Sequence, residues 1–321
     1  MTPTRLRRWL GPLAGAVVLA LLVWRFGAEA FLDGVRRLDP VSVAFALVVG
    51  FVTTVAAAWR WTVVAQGIGL RVPLRGAVTA YYRSQLVNVT VPGGVVGDVE
   101  RAVRHGRGSG ELAVSARSVG WERFGGQAVQ LALTALVLLA VPSAFRVVAE
   151  WGAVALVALV VLVGLTVAAT ATFGPGRLTR ALRIAVTDLR VGLISRRALP
   201  RVLLASAVVV AGHAAVIVVA TRTTGVDVPL ATLVPLALVV LAGSAVPANI
   251  AGWGPREGVA AWAFAATGLG ATAGVTAAAA YGALVLVAAL PGAVVLVVQA
   301  IHGRHGAPGA PAVRERATAD A

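Results

Sequence analysis

Long apolar stretches constrain this chain more than any other feature of its sequence. Six of them have about the 20 residues that a helix needs to cross the hydrocarbon core of a bilayer. They occupy residues 9–26, 41–62, 119–141, 150–172, 202–221 and 273–300. With 59% hydrophobic and 13% charged residues, the composition is too apolar for a soluble globular protein. The sequence therefore predicts an all-α polytopic membrane protein with about six full spans.

Two further apolar stretches, at residues 76–107 and 229–269, are interrupted by Pro and Gly. The first contains Pro92-Gly93-Gly94, and the second contains Pro247 and Gly254-Pro255. Proline removes a backbone donor and glycine favours non-helical angles, so each stretch should enter the membrane as a helix, unwind, and return as a second helix. We therefore predict two broken, re-entrant helical hairpins.

The distribution of charge predicts how these segments are oriented. All 28 basic residues are Arg, and the net charge is +15. If the hairpin at 76–107 opens to the cytoplasm and the hairpin at 229–269 opens outward, the outer loops sum to zero and the inner segments carry the whole +15. This positive-inside pattern predicts a protein of the cytoplasmic membrane with both termini in the cytoplasm. We expect a membrane domain over 1–301 and a disordered cytoplasmic tail over 302–321.

The first apolar stretch fits two interpretations. Three arginines precede it and it ends near Ala28-Glu29-Ala30, which is the pattern of a cleaved signal peptide. Because five further spans follow, we favour an uncleaved anchor.

The two broken stretches share a short pattern at a constant offset of 155 residues. Val91-Pro92 and Arg101 recur as Val246-Pro247 and Arg256, with a Gly at the same spacing between them. Since charge places the two hairpins in opposite orientations, this pattern predicts an inverted repeat. Inverted repeats with broken helices build the binding sites of many secondary transporters.

Charged and amide residues cluster at the two breaks. A broken helix exposes free N–H groups and a partial positive charge, and a guanidinium can bind two phosphate oxygens at once. We therefore expect Arg101 and Arg256 to bind an anionic headgroup, because charge within a membrane segment is costly and usually functional. The alternative is that these residues only form ion pairs, such as Arg101 with Asp98. The other candidates are the neighbouring acids, the Glu-Arg pair of the third span and the amides beside the breaks: Asp98, Glu100, Glu257, Glu122, Arg123, Asn88 and Asn249.

Missing residue types exclude several classes of function. The chain has no Cys, which excludes disulfides, thiolate metal sites and thiol nucleophiles, and it has no Lys, which excludes the P-loop lysine and Schiff-base chemistry. We expect no cofactor or metal. No nucleic-acid partner is expected, because the charges are spread over loops and no nucleic-acid motif accompanies them.

The Arg-rich segment at 177–197 predicts an amphipathic helix on anionic inner-leaflet lipids.

Five segments form a recognisable pattern: Ser84 to Asn88, Pro92-Gly93-Gly94, Gly97 to Arg101, Glu122-Arg123 and Val246 to Gly258. This pattern resembles the flippase-like membrane domain of bacterial lysylphosphatidylglycerol synthases, the multiple peptide resistance factors, and its stand-alone relatives. The resemblance covers about residues 9–300 and implies translocation of an anionic or aminoacylated phospholipid, or of a polyprenyl-phosphate-linked lipid. In the bifunctional relatives a soluble C-terminal domain transfers the aminoacyl group. Since this chain ends about 20 residues after its last span, we expect no such enzyme activity.

These observations lead to one hypothesis and two alternatives. In the hypothesis, Arg101 and Arg256 hold phosphate, the acids beside them hold an amine or exchange protons, and Glu122-Arg123 gates the inner side. One alternative is a membrane-embedded transferase that uses Asp98 or Glu257 as a base on a lipid phosphate. The other is a non-transporting partner of a separately encoded glycosyltransferase or lipid synthase.

Overall fold

The computed structural model describes residues 28–29, 32–91, 94–141, 144–147, 150, 176–244 and 254–305. Within these ranges every regular element is helical, which confirms the predicted all-α class. The helices are α1 (Pro40–Gly67), α2 (Leu74–Thr90), α3 (Val96–Ser109), α4 (Leu112–Ala140), α5 (Arg177–Asp188), α6 (Leu199–Thr223), α7 (Leu230–Gly243), α8 (Pro255–Ala266), α9 (Ala271–Ala289) and α10 (Pro291–His305).

Four described segments are long and apolar enough to cross a bilayer: α1, α4, α6 and the combined segment Ala271–Gln299. They correspond to four of the six predicted spans, and the predicted spans at 9–26 and, apart from residue 150, at 150–172 lie outside the described residues. The span predicted as one helix over 273–300 is divided, because α9 ends at Ala289 and Pro291 begins α10. This last helix continues past residue 302, where the predicted tail begins, to His305.

The Arg-rich segment predicted to be amphipathic is helical over its first part. Helix α5 continues into a short π-helix at Leu189–Leu193. The buried Asp188 at this junction accepts a hydrogen bond from Arg117 Nε of α4 at 2.7 Å, so the segment is attached to the start of that span.

Helices α2 and α3 form the first predicted hairpin and approach each other closely beside the break. A Cβ atom at Gly97 would lie only 2.1 Å from the carbonyl oxygen of Ser84, so only glycine permits this contact. The side chain of Asn88 then spans the break, because its Oδ1 accepts a hydrogen bond from the Gly97 N–H at 2.8 Å. Asn88 thereby satisfies one of the free amides at the start of α3.

Helices α7 and α8 form the second predicted hairpin. Pro255 begins α8, and Glu257 Oε2 accepts a hydrogen bond from the Gly254 N–H at 2.6 Å, which caps the new helix start. Gly254 has a φ of +125°, a conformation that side chains other than glycine rarely adopt. Val246, Pro247, Asn249 and Gly252 lie outside the described residues.

The two hairpins begin at opposite ends of the bundle. Arg37 Nη1 donates a hydrogen bond to the carbonyl of Thr224 at 2.9 Å, which places the start of α1 beside the end of α6. At the other end Gly192, which precedes α6, lies against Val64 near the end of α1. Helices α1 and α6 are therefore antiparallel. Since α2 follows the end of α1 and α7 follows the end of α6, the predicted opposite orientation of the hairpins is confirmed.

The core and the outer surface of the bundle are both apolar. Helix α7 is buried along most of its length and packs with α6, α8 and α9 in the largest hydrophobic cluster. Large apolar side chains are also exposed around the outside, among them Phe51, Leu136, Leu204 and Val294. An apolar exterior around an apolar core is what a surface in contact with lipid tails requires.

Candidate ligand-binding cavity

A cavity of about 290 Å³ lies between the two hairpins, and we call it the central cavity. Asn88 and Gly94 line it beside the first break, and Ser244, Pro255 and Arg256 line it beside the second. Described residues that flank the two breaks therefore line one shared space. Spans α1, α4, α6 and α9 supply the rest of the wall.

The lining of the central cavity is rich in hydrogen-bonding groups. Its charged residues are Arg60, Arg123 and Arg256, and no carboxylate occurs among the described residues that line it. The other polar lining residues are Thr53, Thr54, Tyr81, Gln85, Asn88, Gln127, Gln130, His213, Ser244 and Tyr281. Charges interact strongly in a low-dielectric surrounding, so the carboxylates that pair with these arginines also determine the electrostatics of the cavity.

The carboxylate of Glu122 lies directly behind the cavity wall and is fully buried. Its Oε1 accepts hydrogen bonds from Arg60 Nε at 2.9 Å and Nη2 at 2.5 Å, and its Oε2 accepts one from Arg101 Nη2 at 3.1 Å. Arg60 also donates to Ser206 Oγ at 3.0 Å. Glu122 thus fixes two buried guanidinium groups from different helices.

Asp98 extends this network toward the first break. It forms ion pairs with Arg101 Nη2 at 3.1 Å and Arg123 Nη2 at 2.5 Å. It also accepts hydrogen bonds from Ser84 Oγ at 3.0 Å and Asn88 Nδ2 at 3.1 Å. Three arginines and two carboxylates therefore alternate, which leaves one excess positive charge in the network.

A second charged group occupies the start of α8. Arg256 pairs with its neighbour Glu257, which is fully buried and whose other oxygen caps the helix. The Arg256 guanidinium lies 5.0 Å from the ring centroid of Tyr281, and the Tyr281 hydroxyl lies 2.9 Å from His213 Nδ1. The contact with the Tyr281 ring holds Arg256 at the cavity wall and joins α8 to α9. The contact between Tyr281 and His213 joins α9 to α6.

A family model described as the lysylphosphatidylglycerol synthase TM region matches residues 8–292. The chain belongs to this family. No curated protein and no solved structure matches the chain. Membership confirms the resemblance in the sequence and gives the protein a lipid-related function in a membrane.

The structure of this lysylphosphatidylglycerol synthase TM-region protein separates the predicted site residues into groups. Arg256, Arg123 and Asn88 line the central cavity. The acids Asp98, Glu122 and Glu257 lie behind the wall as partners of the lining arginines. Asn249 lies outside the described residues.

Two predicted residues do not reach the central cavity. Arg101 is fully buried and stacks on Tyr81 and Trp61, with its guanidinium 4.1 and 4.6 Å from their ring centroids. Its ion pair with Asp98 is the alternative considered from the sequence. Glu100 pairs instead with Arg83 at 2.9 Å and Arg104 at 2.7 Å.

Sequence reasoning missed several residues of the site, among them Arg60, Tyr81 and Tyr281. Arg60 lies within a long apolar helix, and a charge in that position is a signal of a buried group that needs a partner. Tyr81 and Tyr281 carry no comparable signal, because aromatic residues are common in apolar segments. Two glutamines of α4, Gln127 and Gln130, belong to the central cavity as well. Both line it, and Gln130 also donates to the Leu241 carbonyl at 3.1 Å.

Proposed function

We propose that this protein moves an anionic or aminoacylated phospholipid, or a polyprenyl-phosphate-linked lipid, between the leaflets of the cytoplasmic membrane. The headgroup occupies the central cavity while the acyl chains stay in the surrounding lipid. One observation carries the proposal. Both hairpins contribute to a cavity lined by three arginines, and none of the described residues that line it is a carboxylate.

The physical argument concerns the cost of bringing a phosphate into the membrane. A charge in hydrocarbon is strongly unfavourable unless it is paired, and a planar guanidinium pairs with two phosphate oxygens. Here Glu122, Asp98 and Glu257 hold the three lining arginines in place before any ligand binds. Little reorganisation is then needed on binding.

The size of the central cavity fits a headgroup better than a whole lipid. Its volume of about 290 Å³ is near the lower end of the range for ligand sites, about 300–1,000 Å³. Acyl chains therefore remain outside. In the proposed orientation, with both termini in the cytoplasm, the first hairpin opens the cavity inward and the second opens it outward.

The transferase alternative needs a carboxylate that is free to act as a base. Asp98 already contacts two arginines, a serine and an asparagine, and Glu257 contacts Arg256 and a backbone amide. Among the described residues no group of three or more His, Cys, Asp or Glu side chains is placed to bind a metal ion. These contacts favour transport over phosphate chemistry.

The proposal is tested by leaflet exchange of fluorescent phosphatidylglycerol in proteoliposomes. The double variant R256Q/E257Q removes the lining guanidinium together with the buried carboxylate of Glu257 that pairs with it. We expect exchange to slow about tenfold or more, since a hydrogen bond to a charged group contributes about 1.5–3 kcal/mol. The matched control is R222Q, which removes an exposed arginine at the end of α6.

The possible outcomes separate the three functions. Slow exchange in R256Q/E257Q with normal exchange in R222Q supports transport, provided that both variants elute as folded monodisperse protein. Equal exchange in all three proteins contradicts it. A new lipid product detected by mass spectrometry supports the transferase, and neither exchange nor product supports the non-transporting partner.

A further inference from the structure

A second cavity, of about 510 Å³, lies between α2, α3 and α10, and we call it the arginine cavity. No carboxylate occurs among the described residues that line it. Its other polar lining residues include Thr79, His105, Ser109 and Gln299. The arginines that line it are Arg71, Arg75, Arg83, Arg101 and Arg104.

A layer of three side chains separates the two cavities. Tyr81 lines the central cavity, and Arg101 lines the arginine cavity. The Arg101 guanidinium lies within 4.6 Å of the ring centroids of both Tyr81 and Trp61. The arginine cavity is therefore a distinct site, located at the open end of the first hairpin, where α2 begins and α3 ends.

The charges of the arginine cavity are incompletely balanced. Arg83 and Arg104 share the single carboxylate of Glu100. The guanidinium groups of Arg71 and Arg75 form no ion pair or hydrogen bond with any residue that the structure describes. Both residues are exposed, so their charge remains available to a ligand.

Arg101 adds buried donors without partners to the same cavity. Its side chain is fully buried, and in the described part of the chain its Nε and Nη1 atoms have no hydrogen-bond acceptor. A buried donor without an acceptor is costly, so an acceptor placed beside these atoms would be stabilising.

The geometry points to a site for a phosphate group that carries two or more negative charges, either on a lipid headgroup or on a free compound. Arg75, Thr79 and Arg83 are spaced four residues apart and so share one face of α2. Gly108 leaves open space opposite them, because a Cβ atom there would contact nothing within 4 Å. Several guanidinium groups then surround one space, which suits a multiply charged phosphate.

This inference is independent of lipid transport, and a binding measurement tests it. The protein is placed in nanodiscs of phosphatidylcholine and titrated with inorganic pyrophosphate by isothermal calorimetry. We expect the wild type to bind pyrophosphate. R71Q/R75Q should bind it at least about tenfold more weakly, because two charged contacts are lost. The matched control R107Q/R197Q removes two exposed arginines that do not line the cavity, and it should bind within about twofold of the wild type.

A second arm identifies the source of the phosphate. In nanodiscs that contain phosphatidic acid, weakened pyrophosphate binding assigns the site to a lipid headgroup, and unchanged binding assigns it to a free phosphate compound. Both results support a site. Absence of pyrophosphate binding to the wild type, or equal loss in the two double variants, overturns the inference. Failure of leaflet exchange leaves this test intact, because binding includes no transport step.

Discussion

Replacing Glu122 by Gln is expected to lower the free energy of unfolding by about 3–5 kcal/mol, the usual cost of removing one partner from a buried ion pair. Glu122 is fully buried and is the shared counter-charge of Arg60 and Arg101. Without it, two buried guanidinium groups lose an ionic partner. Titration with SDS in mixed micelles, followed by circular dichroism, measures the change.

The matched control for this variant is Glu150→Gln. Glu150 pairs with Arg146 at 3.3 Å, but the two side chains are 56% and 72% exposed. An exposed ion pair of this kind contributes about 0–1 kcal/mol. If Glu122→Gln unfolds at the same SDS fraction as Glu150→Gln, the buried network does not stabilise the fold as described.

Gly97→Ala is expected to disrupt both the fold and the central cavity. The new Cβ atom would lie 2.1 Å from the Ser84 carbonyl oxygen and 2.8 Å from two further backbone atoms. Helix α3 must then move away from α2, which breaks the hydrogen bond that the Gly97 N–H donates to Asn88 and the contacts of Asp98 with Ser84 and Asn88. Overpacking costs about 1–3 kcal/mol, and the loss of these hydrogen bonds adds to it. The same SDS titration, together with leaflet exchange, measures the effect.

Gly120→Ala gives the opposite expectation and serves as the control. Gly120 lies within helix α4, and a Cβ atom there would contact nothing within 4 Å. Alanine is favoured over glycine in a helix by about 0.5–1 kcal/mol, so this variant should be slightly more stable than the wild type. A Gly97→Ala protein as stable and as active as Gly120→Ala would show that α2 and α3 do not need their close contact.

The sequence was sufficient to predict the helices because the signals for them are local. The length of each apolar run predicts a span, and four such spans are present among the described residues. The prolines and glycines predict where a helix stops, and α2 indeed ends at Thr90 before Pro92. Opposite orientation followed from loop charges, which also depend only on position along the chain.

The partners of the buried charges were beyond sequence reasoning. Glu122 contacts Arg60, which is 62 residues away along the chain, and no periodic pattern encodes that pairing. The repeat treated Arg101 and Arg256 as equivalent, yet only Arg256 lines the central cavity. Near the first hairpin the central cavity is lined by Arg123 of α4, and Arg101 is buried against Tyr81. Such differences arise from side-chain packing between helices.

The most direct test of the central claim is the reactivity of one cysteine inside the central cavity. The chain has no Cys, so Gln127→Cys introduces a single thiol among the lining residues, and Ala266→Cys gives an exposed reference on α8. Relative to that reference, the thiol at position 127 should prefer a negatively charged methanethiosulfonate over a positively charged one. Short-chain phosphatidylglycerol should slow this reaction. An equal preference at both positions, or no protection by the lipid, would contradict an anion-binding cavity between the hairpins.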